Sequence, residues 1–234
     1  MLRDDITWAQ DFVFVSSDTR EIFQYFNANT LEKKDKKVIM DDITNKTERL
    51  TNNVLISIGG LMEIGRDWKD YMFKHSEEHF YLDDLEPVMK ESYKYLNSKN
   101  DKFYKKYLES NYIGAFLTGF YRNGDTGCFM FHEGQFQSKR MDKETCFTHM
   151  FAPTQDILDK KDELLNFNNI PNTNDNTLES IINYYSLIQA IVATQHSDLV
   201  SNRFLGYCLM RKEDGEIYYQ ELDWDLSEIQ KQLI

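Results

Sequence analysis

Apolar and polar positions alternate along this chain in two rhythms, one strand-like and one helix-like. Residues 11–16, Asp-Phe-Val-Phe-Val-Ser, form a dense aromatic and β-branched run, which predicts a buried strand. The polar Ser17-Asp18-Thr19-Arg20 that follows predicts a turn. KKVIMDDI (36–43) and NVLISI (53–58) predict a hairpin joined by the long polar loop TNKTERLTN, with Gly59-Gly60 ending the second strand. From Leu61 the rhythm changes. Leu61, Ile64, Trp68 and Tyr71/Met72 recur at helical spacing, and Leu85, Val88, Met89, Tyr93 and Leu96 share one face of a second helix capped by Asp83 or Asp84. Strands return at YIGAFLTGFY (112–121) and CFMFHEG (128–134) around the turn RNGDTG, and again at ETCFTHMF (144–151). DILDKKDELLNF predicts a third helix. A fourth runs through TLESIINYYSLIQAIVATQHS, where Thr177 can cap and Ile181, Tyr184/Tyr185, Ile188, Ile191 and Val192 form the buried stripe. RFLGYCLMRK and IYYQELDW close the chain as a hairpin around Glu213-Asp214-Gly215-Glu216.

Strands, two helices, strands, two helices and strands, in that order, predict an α+β fold. Its layers are a four-layer αββα sandwich, with helix pairs covering the outer faces of two packed sheets. No repeat, Pro-rich linker or low-complexity block interrupts the 234 residues, so residues 1–234 read as one domain.

Composition narrows the function classes. A net charge of −12 opposes phosphate backbones and anionic membrane surfaces, so nucleic-acid and membrane partners are not expected. No apolar run is long enough for a membrane-spanning helix, and MLRDDITWAQ does not read as a signal peptide. The three cysteines, Cys128, Cys146 and Cys208, are widely spaced and form no CxxC pair, so neither a disulfide framework nor a thiolate metal site is indicated. A reducing, cytoplasmic location is the expectation.

The order of elements resembles that of proteasome β-type subunits, members of the N-terminal-nucleophile hydrolase superfamily, and of their bacterial relatives. Phe-Val-Phe-Val-Ser-Ser-Asp18-Thr19-Arg20 resembles the family's second strand and its Asp-Ser-Arg turn. Lys36-Lys37-Val38-Ile39 resembles the segment with the catalytic lysine. Ile56-Ser57-Ile58-Gly59-Gly60 resembles the glycine turn whose amide donates to the oxyanion. Ser197-Asp198-Leu199-Val200-Ser201 is similar to the family's Asp-x-x-Ser, and YCLMRKEDGEIYY looks like the closing strand pair. In such enzymes an N-terminal threonine supplies the hydroxyl, and its own α-amine is the base. By resemblance Lys37 is the lysine and Asp18 its partner. Asp198 and Ser201 support the amine, and Gly59 or Gly60 marks the oxyanion donor. The framework implies no cofactor and no metal. The resemblance also implies an assembly of identical subunits, with a peptide or protein partner in view.

The position that the family gives to its nucleophile falls on Leu2, which has neither hydroxyl nor thiol. Leu2-Arg3-Asp4-Asp5-Ile6 is also highly charged for a central strand. The expected function is therefore a non-catalytic, structural or interaction role on a proteasome-like fold. The alternative is a threonine-type peptidase or amidohydrolase whose nucleophile lies upstream of this start. A second alternative rests on His75-Ser-Glu-Glu78-His79, which matches the HxxEH pattern of a zinc-hydrolase class. That segment reads first as a solvated, charged corner between two helices.

Overall fold

Seven consecutive residues, Phe12–Asp18, form strand β2, and all seven are buried. A strand buried on both faces must lie between two layers. Val13 and Val15 point one way and join Leu55, Phe116, Phe120, Cys128, Met130, Tyr207 and Leu209. Phe12 and Phe14 point the other way and join Tyr185, Ala190, Phe204, Cys208 and Leu226. This period-two alternation is what the FVFV run predicts.

The computed structural model describes residues 4–9, 12–26, 33–41, 43–60, 62–99, 102, 105–106, 113–132, 135–141, 147–150 and 178–227. Among these, the strands are β1 (Asp4–Ala9), β2, β3 (Glu21–Phe26), β4 (Lys33–Asp41), β5 (Thr47–Thr51), β6 (Val54–Gly60), β7 (Ile113–Phe120), β8 (Thr126–His132), β9 (Gln135–Met141), β10 (Phe147–Met150), β11 (Arg203–Arg211) and β12 (Ile217–Asp225). The helices are α1 (Met62–Lys74), α2 (Leu82–Ser98) and α3 (Leu178–Gln195). The fold is mixed α+β with two five-stranded antiparallel sheets. The first has the order β10-β1-β2-β11-β12 and the second β5-β6-β7-β8-β9, while β3 and β4 form a separate two-stranded ribbon.

Three apolar clusters order these elements. One lies between the inner faces of the two sheets. A second joins the outer face of β6–β8 to Ile64, Trp68 and Met72 of α1 and to Leu82, Leu85, Met89 and Leu96 of α2. The Trp68 indole N–H donates to Ser92 Oγ at 2.8 Å and ties the two helices together. The third packs the outer face of β2 and β11 on Tyr185 and Ala190 of α3. The α2 start is fixed by Asp84 Oδ2, which accepts the Tyr81 N–H at 2.8 Å as one half of a capping box. Arg122 in the β7–β8 turn donates to both Asp84 carboxylate oxygens. That turn closes with Gly124 at φ 87°, a conformation that favours glycine.

Two pairings differ from the sequence reading. β4 was expected to pair with the strand at 53–58, but it pairs with β3, for instance Ile22 opposite Ile39. β6 lies between β7 and β5, and β5 falls inside the expected polar loop. The expected helix DILDKKDELLNF lies outside the described residues, as does Thr177. β1 takes a central place in the first sheet despite its charges, with Ile6 opposite Val15 on one side and His149 on the other. Among the described residues no helix is long and apolar enough to cross a membrane.

Candidate functional site

At the end of β2 the chain turns polar while still buried, and there the two sheets are joined by charge. Lys46 Nζ donates to Asp18 Oδ2 at 2.9 Å, and the side chains are 1% and 0% exposed. Asp18 ends a strand of the first sheet. Lys46 precedes β5 of the second, and its carbonyl accepts the Ile58 N–H at 3.0 Å. The other Asp18 oxygen, Oδ1, accepts the Arg20 N–H at 2.8 Å. Such a pair is tolerated out of water only when its hydrogen-bonding capacity is met in this way.

A chain of hydroxyls lies beside the pair. Ser201 Oγ donates to the Arg203 carbonyl at 2.9 Å. Its lone pairs therefore receive the Thr19 N–H at 3.1 Å and the Thr19 hydroxyl at 3.0 Å. Thr19 and Ser201 are both buried. Thr19 thus gives its proton to a neutral hydroxyl, an arrangement that does not activate an oxygen nucleophile. Further out, the Tyr207 hydroxyl donates to Asn45 Oδ1 at 2.6 Å, and Asn45 Oδ1 also receives the Thr47 N–H at 3.2 Å. Thr47 and Ser57 share a buried hydroxyl contact at 2.9 Å across β5–β6. The Ser16 and Ser17 hydroxyls are buried and have no hydrogen-bond partner among the described residues.

The expected site residues are distributed as follows. Asp18 and Ser201 are brought to one place, on either side of Thr19. The described ion-pair partner of Asp18 is Lys46. Lys37 stands on β4 opposite Gln24, in the β3–β4 ribbon that lies between Asp18 and Lys46 in the chain. Asp198 lies exposed in the turn after α3, a turn that Arg20 reaches through the Ser197 carbonyl. Gly59 and Gly60 close β6 directly after Ile58, the residue bonded to the Lys46 carbonyl, and Gly60 has φ 78°. The sequence reading missed Lys46, Asn45 and Tyr207. The available signal was a lysine next to a strand-length stretch, Thr47-Glu-Arg-Leu-Thr51, with Thr47 and Leu50 on the buried side.

At the α1–α2 corner, His75 Nδ1 lies 2.8 Å from the Tyr71 carbonyl and its ring stacks on Tyr71. His79 faces Glu77 at 3.7 Å, with both side chains more than two-thirds exposed. Among the described residues no group of three or more His, Cys, Asp or Glu is arranged to hold a metal ion. Cys128 and Cys208 are buried free thiols, and burial pushes each up to about 12. No protein-family model matches the sequence, and no curated protein matches it either.

Proposed function

We propose that this chain is a proteasome-subunit-like protein with the αββα architecture of N-terminal-nucleophile hydrolases. In this reading it has a non-catalytic, structural or interaction role. The architecture is supported by two five-stranded antiparallel sheets with helices on both outer sides and a lysine–aspartate pair where the sheets meet. The observation that carries the non-catalytic reading is the closure of that framework. Lys46 and Asp18 are withdrawn from solvent and bonded to each other, and Thr19 and Ser201 donate along a chain that ends on a backbone carbonyl. A lysine that tunes a reacting amine must face the reacting group. Here the lysine is fully buried between the two sheets, and with Asp18 it acts as a clasp between them.

One observation favours the second reading, a threonine-type peptidase or amidohydrolase. Asp4 stands opposite Ser17, so β1 enters the first sheet next to Asp18. A Thr, Ser or Cys supplied ahead of β1 would meet the pair. The two readings are separated by treating the native protein with a β-lactone electrophile and measuring its intact mass. The non-catalytic reading expects no adduct. An adduct on an N-terminal hydroxyl or thiol residue would overturn it.

A further inference from the structure

Val38, Ile39, Met40 and Ile43 are 43%, 47%, 59% and 71% exposed. Neighbouring residues of a strand point to opposite faces. Exposure of Val38, Ile39 and Met40 together therefore leaves both faces of this stretch partly open to solvent. The β3–β4 ribbon pairs with no further strand among the described residues, which leaves backbone donors and acceptors along both edges. Its charge is also out of keeping with the rest. β4 opens Lys33-Lys34-Asp35-Lys36-Lys37, in a chain whose net charge is −12.

The complementary surface lies on the first sheet. β12 is the last strand in its order, and among the described residues its outer edge is unpaired. From Glu213 to Asp225 the chain carries Glu213, Asp214, Glu216, Glu221, Asp223 and Asp225, with no Lys or Arg between them. Asp223 holds Arg203 and Glu216 pairs with Lys212 at 3.4 Å, so the net negative field of the segment rests mainly on Glu213, Asp214 and Glu221. Tyr218, on the same strand, is 48% exposed.

We propose that the β4 edge of one copy docks on the β12 edge of a second copy of this chain. Strand addition supplies the main-chain hydrogen bonds. The lysines opposite the carboxylates set partner choice and orientation, and Val38, Ile39 and Met40 come under cover beside Tyr218. The two surfaces are different patches of one molecule, so the contact is head-to-tail and builds a ring or a filament. This interface does not depend on whether the buried pair is catalytic, because a catalytic chain would carry the same ribbon.

The test uses the full chain in sedimentation velocity at several concentrations and two salt levels. The wild type is expected to self-associate, with affinity falling about tenfold or more from low to high salt. Reversing β4 (Lys33→Glu, Lys34→Glu, Lys36→Glu, Lys37→Glu) gives a monomer. Reversing the β12 side (Glu213→Lys, Asp214→Lys, Glu216→Lys, Glu221→Lys) gives a monomer as well. Mixing the two variants restores association, because each ribbon then faces an edge of opposite sign. A wild type that stays monomeric at low salt overturns the proposal. So do folded variants that associate like the wild type, or a mixture that stays dissociated. Should a variant fail to fold, the wild type decides alone. Carbodiimide cross-linking of mixed ¹⁴N and ¹⁵N chains must join a β4 lysine of one copy to a β12-side carboxylate of the other, and inter-copy links elsewhere only would sink the idea.

Discussion

Replacing Lys46 by Met keeps the length of the side chain and removes its charge, which takes from the buried Asp18 carboxylate the ammonium it is paired with. At the 2.9 Å separation, and with an effective dielectric near 20, the attraction lost is about 6 kcal/mol. Part of it is offset, because the missing ammonium no longer has to be stripped of water. Removing one partner of a buried pair leaves a net loss of about 3–5 kcal/mol. That is a large fraction of the roughly 5–15 kcal/mol that holds a domain folded. Urea unfolding of wild type, Lys46→Met, Asp18→Asn and the double variant measures it. The single lysine change should lower the midpoint sharply at nearly constant slope. The double variant should recover at least about 1 kcal/mol over the sum of the singles, because no charge is then stranded. A Lys46→Met cost below about 1 kcal/mol would refute the assignment of the buried pair.

Ser201→Ala removes the acceptor of both the Thr19 N–H and the Thr19 hydroxyl, and should cost about 1–3 kcal/mol in the same assay. An unchanged midpoint would mean that the hydroxyl chain is not worth its place. The thiols give a pH prediction. Burial raises Cys128 and Cys208 to about 12 in the folded chain, whereas unfolded thiols ionise near 8.5–9. Above that value the unfolded chain binds fewer protons, so stability falls as pH rises. The expected slope from pH ~9 towards ~12 is about 1.4 kcal/mol per pH unit for each thiol. Cys128→Ala and Cys208→Ala should each remove one share of that slope, and a slope that both variants leave intact would contradict the burial argument.

The parts of the fold that were legible in the sequence are those where burial and residue type agree. The FVFV run is β2, the Ile64–Trp68–Met72 spacing is the buried face of α1, and RNGDTG is the turn of the β7–β8 hairpin. Lys46 was not legible, because a lysine inside TNKTERLTN reads as solvated by type. Only a carboxylate from a distant strand makes its burial tolerable. β5 was hidden for a related reason: Thr47-Glu-Arg-Leu-Thr51 carries a single strongly apolar residue, and its strand character comes from pairing with β6. β4 went to the wrong partner because its apolar residues, Val38 to Met40, look like core and are in fact exposed. For the candidate site, Asp18 and Ser201 were found through motif spacing. Lys46 was missed because the motif spacing pointed to Lys37, and the β3–β4 ribbon lies between Asp18 and Lys46 in the chain.

The first sheet takes β1 and β2 from one end of the chain and β11 and β12 from the other, and the Thr19–Ser201 contact spans 182 positions. The second sheet and its two helices lie wholly between residues 47 and 141. A ribosome adding ~5–20 residues per second takes roughly 5–20 s to cross that span. During that interval the middle of the protein can close on itself, while Phe12-Val13-Phe14-Val15 has no β11 to pair with. The earliest strands made are thus completed by the last. Nascent chains stalled before Arg203 should expose an adhesive, unpaired strand edge that the finished molecule never shows.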